Sequence, residues 1–263
     1  MKHSSLKATF LLALAGVMLA ATAATAAVTS YSTGNLILGF RQTGVGASTN
    51  SLVVNLGPVG TYRDAIANIN SITSAANFDD ELAAEFGANW YTDGSVSWGI
   101  VAANNTLGTV NGDGSKSVYG TRQEANYGTA GAGYTRQSSA QQTPATSAIA
   151  TMGSVYNGQT FTGTAFVQAN AGANTWNSSM AASQFSYNGI WNLEGTVGAG
   201  SQLDLFRMLT GSGAGTYEGS FIIGNDGAVT FGTTPFTAGA VPEPSRALLL
   251  GLGICGLFLR RRR

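Results

Sequence analysis

Apolar residues recur at every second position along several stretches of the chain, and a period of two is the signature of β-strands. Leu36, Leu38 and Phe40 alternate with Ile37, Gly39 and Arg41, and Leu52, Val54 and Leu56 alternate with Val53 and Asn55. With residues 43–50 as the turn, these runs predict a first hairpin, which Gly57-Pro58 interrupts. Residues 96–101, 118–122 and 161–168 predict three more strands. The end of the body is the most regular part: residues 190–197, 202–209, 217–223 and 228–231 read as strands of a meander, separated by glycine-rich turns at 210–215 and 224–227. Tyr217, Gly219, Phe221 and Ile223 alternate there with Glu218, Ser220 and Ile222, so one face reads as apolar.

Helical spacing is rarer. Ile66, Ile69 and Ile72 step by three and suggest a short helix over 62–72. Residues 77–87 fit one better: Asn77 can cap, Asp79, Asp80 and Glu81 complement the positive helix start, and Gly87 can close the end. Thr143 can cap a third with Pro144 in its first position, since Ile149, Met152 and Tyr156 follow at helical spacing. Residues 175–183 suit a short helix or a loop. Residues 128–142 carry few large aliphatics and read as a mobile loop or a module seam. No fixed internal period is visible, which disfavours a solenoid or propeller. The pattern predicts a mainly β body, an antiparallel β-sandwich-like domain over 27–240 with a few short helices.

The two ends read differently. Lys2 and Lys7, the apolar run at 10–20 and the small residues Ala24-Thr25-Ala26 have the layout of a secretory signal peptide over 1–26, with Ala24 and Ala26 at the cleavage positions. That implies passage through a Sec translocon and removal by signal peptidase. Residues 247–259 contain no charge, but as a helix these thirteen residues span only about 20 Å of a hydrocarbon core about 30 Å thick. Arg246 on one side and Arg260, Arg261, Arg262 and Arg263 on the other can snorkel to lengthen the span, and the positive-inside bias keeps the terminal cluster cytoplasmic. Just before this run, Pro242 and Pro244 hold Glu243 on a stiff, extended segment.

This order of Pro242-Glu243-Pro244, apolar helix and arginine cluster, over 241–263, resembles the PEP-CTERM sorting signal. The resemblance implies recognition, and cleavage at or near Pro-Glu-Pro, by an integral membrane exosortase of a Gram-negative bacterium, in settings that often produce exopolysaccharide. On that expectation the protein is exported across the inner membrane, transiently anchored by its C-terminal transmembrane helix, and finally placed at the cell surface or outside the cell.

Composition narrows the chemistry. The formal balance of thirteen basic and thirteen acidic residues conceals an asymmetry, because residues 28–240 hold six basic and twelve acidic side chains, a net charge of −6. An acidic body without basic clusters argues against nucleic acid and anionic lipid surfaces. The single histidine, His3, belongs to the signal segment, and the single cysteine, Cys255, belongs to the apolar run. The body therefore lacks Ser-His and Cys-His chemistry, histidine-ligated zinc and intramolecular disulfides. Asp79, Asp80 and Glu81 have the chemistry of a carboxylate cluster but suit a solvated first helical turn. Residues 111–115 resemble a fragment of a calcium loop, yet lack the further acidic ligands and closing glutamate, and better suit a hairpin turn. Trp90, Tyr91, Trp176 and Trp191 have faces able to stack on sugar rings, although such residues more commonly fill cores. The expectation is a non-enzymatic structural or surface-binding protein with no cofactor and no metal. The alternative is a secreted carboxylate-dependent glycoside hydrolase or carbohydrate-binding module, for which two facing acids are required.

Overall fold

A computed structural model describes residues 28–70, 72–73, 75–124, 130–157, 159, 164–181, 192–198 and 201–236. The predicted signal segment, Trp191 and everything from 237 onward lie outside the described residues.

Among the described residues nine strands form one antiparallel sheet. They are β1 (Asn35–Gln42), β2 (Asn50–Pro58), β3 (Val96–Ala103), β4 (Val118–Gln123), β5 (Phe166–Ala169), β6 (Glu194–Thr196), β7 (Gln202–Met208), β8 (Thr216–Ile223) and β9 (Val229–Gly232). The order across the sheet is β5-β2-β1-β3-β4-β7-β8-β9. β6 joins at the Ser97–Gly99 end of β3, while the Val101–Ala103 end pairs with β4. The predicted hairpin is present, and β7, β8 and β9 pair in succession as the predicted meander does, but its first run is corrected: β6 pairs with β3 and not with β7. The sandwich expectation is corrected: the strands run in a single curled ladder, and helices supply the covering layers that a second sheet would otherwise provide.

The reason is visible in β1, where Leu36, Ile37, Leu38 and Phe40 are all fully buried. A strand with one wet face shows alternation in burial, and a strand covered on both faces does not. One face of the sheet carries Leu36, Leu38, Phe40, Val54, Trp98, Ile100, Leu203, Leu205, Phe221 and Phe231, packed with α1 (Gly60–Arg63) and α2 (Ala75–Phe86). Phe40 meets Phe78 at 5.5 Å, and Tyr62 meets Phe231 at 5.4 Å, both edge to face. The opposite face carries Ile37, Val53, Val101, Val118, Phe206 and Met208 beneath α3 (Ser139–Tyr156) and α4 (Trp176–Ala181). Gly39 is required there, because a Cβ would overlap the Trp176 indole.

Several local expectations change. Only Gly60–Arg63 of the predicted 62–72 helix is helical. Ile69 instead exchanges backbone hydrogen bonds with Phe231 at 2.8 and 2.9 Å, and Ile72 N–H donates to Val229 at 2.8 Å. The free edge of β9 leaves donors and acceptors to satisfy, and this segment satisfies them. α2 begins at Ala75, two residues before Asn77, and ends before Gly87, whose φ of +93° suits glycine. α3 begins at Ser139, so Pro144 sits inside the helix and not at its start. Gln141 accepts the Ser138 N–H at 3.1 Å, giving the helix start a partner upstream of Thr143.

The weakly patterned stretch is also corrected from 130 onward. Gly131 N–H donates to Asp204 at 2.8 Å, the buried Tyr134 donates to Thr121 O at 2.9 Å, and Arg136 caps Leu209 O and Thr210 O at 3.0 and 2.9 Å. These anchors are polar and few, so hydrophobic spacing does not reveal them. No helix among the described residues is long and apolar enough to cross a membrane.

Candidate functional site

Charge concentrates at the end of the sheet where β7 turns into β8. Five elements contribute. α1 supplies Arg63, followed by Asp64; β4 supplies Tyr119; β7 supplies Arg207; and the loop between β3 and β4 supplies Asp113. In that loop Val110 and Asp113 exchange backbone hydrogen bonds of 3.0 and 2.9 Å around Asn111 and Gly112, whose φ values are +50° and +84°. This tight Asn-Gly turn is the one the sequence predicts, and it delivers the Asp113 carboxylate to the sheet. β8 supplies Glu218 through a bulge: Leu205 faces Gly219 and Phe206 faces Tyr217, leaving Glu218 as the extra residue.

Asp113 is only 3% exposed and accepts three hydrogen bonds. Its Oδ2 accepts Arg63 Nη1 at 2.9 Å and the Tyr119 hydroxyl at 2.6 Å, and its Oδ1 accepts Arg207 Nη1 at 3.3 Å. Arg63 also grips Asp64 with two donors, at 2.7 and 2.6 Å. Arg207 Nε lies 2.8 Å from Glu218 Oε1, an ion pair whose N–H is not aligned for a hydrogen bond. Burial pushes the Glu218 carboxyl up to about 7, against the opposing pull of Arg207. Burial also raises the Tyr119 phenol, helped by its bond to Asp113. The hydrogen bonds from Arg63 hold the exposed Asp64 carboxyl below its ordinary value.

A second acidic pair lies on the opposite face. Asp204 is fully buried, accepting Gln202 Nε2 and Ser220 Oγ at 2.6 Å each and Gly131 N–H at 2.8 Å. Burial, then the neighbouring Asp204 charge, pushes the Glu124 carboxyl up. Arg122 approaches this pair while donating to Ala132 O at 2.9 Å and lying 5.7 Å above the Tyr134 ring. Asp204 thereby ties β7, β8 and the 130–138 segment together.

The residues singled out from sequence are dispersed. Pro242, Glu243, Pro244, Arg260–Arg263, Ala24 and Ala26 lie outside the described residues. The acidic trio is corrected: it falls in the middle of α2, where Asp79 accepts the Trp90 indole N–H at 2.8 Å and Glu81 accepts the backbone N–H groups of Thr164 and Ala165 at 2.6 and 2.8 Å. Two of its three carboxylates are thus joints between segments, whereas Asp80 is exposed. In the calcium-like loop, the carbonyls of Gly108, Asp113 and Gly114 converge on the Asn104 amide at 2.8–3.1 Å. A side-chain amide occupies the place where a cation would otherwise collect carbonyl oxygens. Trp90 and Trp176 are buried, so their faces belong to the core. Among the described residues no group of three or more His, Cys, Asp or Glu side chains is placed to hold a metal ion.

The charged cluster itself was not legible as a motif. Asp113 lies 50 residues from Arg63 and 94 from Arg207. One signal was available: with only six basic residues in the body, each is a candidate for a specific internal partner. All six have one, since Arg41 pairs with Glu194, Lys116 donates to Asn105 Oδ1 at 2.8 Å, and Arg63, Arg122, Arg136 and Arg207 are bonded as above. Comparison with protein-family models, with curated proteins and with solved structures returns no match.

Proposed function

We propose that the protein is an exported cell-envelope or extracellular-matrix component of a Gram-negative bacterium with a non-enzymatic, structural or surface-binding role. On this reading its N-terminal signal peptide and C-terminal transmembrane helix are sorting devices, and a membrane exosortase cleaves it at or near Pro242-Glu243-Pro244. The observation that carries the proposal is the order of that motif, the uncharged run at 247–259 and Arg260–Arg263. The layout of the body supports it. Residues 28–240 carry twelve acidic against six basic side chains, and four of the six, Arg41, Arg63, Arg136 and Arg207, are part-buried in ion pairs or on backbone carbonyls, which argues against nucleic acid or anionic lipid as partners.

Mass spectrometry of the mature C-terminus tests the reading. The product is expected to lack the arginine cluster, and Glu243→Ala or deletion of 242–244 is expected to leave the precursor in the membrane fraction. Normal release of either variant would refute it. The second reading is a carboxylate-dependent hydrolase or carbohydrate-binding module, favoured by one arrangement: Glu124, just past β4, and Asp204 lie on neighbouring strands, where the Asp204 charge adds to burial in raising the Glu124 carboxyl. The hydrolase requires Glu124→Gln to abolish hydrolysis of an exopolysaccharide that the wild-type protein cleaves.

A further inference from the structure

We propose that Glu218 is a proton-operated latch: protonated, it keeps the ion cluster at the β7–β8 end in charge balance and holds α1 and the 104–117 loop on the sheet, and ionised, it loosens them. Glu218 sits at a bulge, outside the ladder register, with its side chain only 8% exposed. The titratable and charged groups acting on it are Arg207 from β7, Asp113 from the 104–117 loop, and Arg63 and Asp64 from α1 and the residue after it. Tyr119 from β4 completes the cluster through Asp113 and is held in its neutral form.

With Glu218 protonated, the buried Asp113 is shared by Arg63 and Arg207, and Arg63 is further balanced by the solvent-exposed Asp64. Ionisation adds a negative charge beside the buried Asp113, which already accepts three hydrogen bonds from the same cluster. Among the described residues the cation in contact with Glu218 is Arg207, and its Nε–H points off Oε1. Oε1 of an ionised Glu218 therefore lacks a bond that would offset its desolvation, and it competes with Asp113 for the same guanidinium. Asp113 is the link by which the 104–117 loop reaches both Arg63 of α1 and Arg207 of the sheet, so drawing Arg207 toward Glu218 weakens that joint.

The test is amide hydrogen exchange on the full chain in detergent, corrected for intrinsic exchange, with β1 and β3 as internal references. Between pH 6 and pH 8, protection in residues 60–65 and 104–117 is expected to fall about tenfold relative to those references, as the proton held near pH 7 in the closed state is lost. Glu218→Gln is expected to hold that ratio constant. Unchanged protection in the wild-type protein, or the same loss in the variant, overturns the proposal. Should the variant fail to fold, carboxyl ¹³C titration of wild-type Glu218 decides: a midpoint near 7 supports the latch, and one near the ordinary 4.5 removes it.

Discussion

Two ion clusters among the described residues are built to different degrees of completion. In the first, Glu194 receives Arg41 Nε and Nη2 at 2.8 and 2.6 Å on Oε2, and the Trp176 indole N–H at 2.9 Å on Oε1. The spare Arg41 Nη1 reaches Asn177 at 3.1 Å, so one acid, one base and two neutral partners close the set. In the second, two arginines serve three acids, and Glu218 is the one without an aligned donor. A buried charge is tolerable when its partners satisfy it and costly when they do not. The first cluster is a static joint between β1, β6 and α4, whereas the second has a degree of protonation left to vary.

Removing the hub of the second cluster should have the largest effect. Asp113→Ala leaves Arg63, Arg207 and Tyr119 without their shared acceptor, and a loss of about 3–5 kcal/mol is expected in urea unfolding of the full chain. Glu194→Ala strands one arginine and one indole, and about 2–4 kcal/mol is expected, the same at pH 5 and pH 8 because no acid is in excess there. Equal pH dependence of the two variants would erase the distinction between the clusters.

Glu218→Gln sharpens it. The folded carboxyl holds its proton to about 7 against an ordinary value of 4.5, so the folded state binds the proton more tightly than the unfolded chain does. Stability from this group is complete below about 4.5 and is lost as pH rises to about 7. The wild-type protein should therefore lose up to about 3 kcal/mol across that window, and Glu218→Gln should lose none of this component. Asp64→Ala should have the smallest effect. Its side chain is 63% exposed and Arg63 keeps Asp113, so its unfolding midpoint is expected to match the wild-type protein's within experimental error.

Much of the fold is legible in the sequence. The β1–β2 hairpin, the β7–β9 meander, the helix closed by Gly87 and the Asn111-Gly112 turn all follow from spacing and from residues able to take positive φ. The misreadings share a cause. Ile66, Ile69 and Ile72 have helical spacing, but the edge of β9 claims Ile69 and Ile72 and leaves Ile66 in solvent. Pro144 looked like a helix start because the true start, Ser138 with Gln141, carries no apolar marker. The Asp79–Glu81 trio looked solvated because the Trp90 indole and the Thr164 amide are distant in sequence.

By itself the amino-acid sequence determined the strand periods, the turn chemistry, the acidic body and the absence of histidine and cysteine from it. These depend on a residue and its near neighbours, or on composition, and sterics enforce them wherever the segment lies. Only the tertiary structure decided that both sheet faces are covered, that Arg41 meets Glu194 across 153 positions, and that Glu218 stands beside Arg207 with no aligned bond. Such pairings are set by register and by which surfaces are left to bury, and a contact between distant positions leaves no period in the chain to be read.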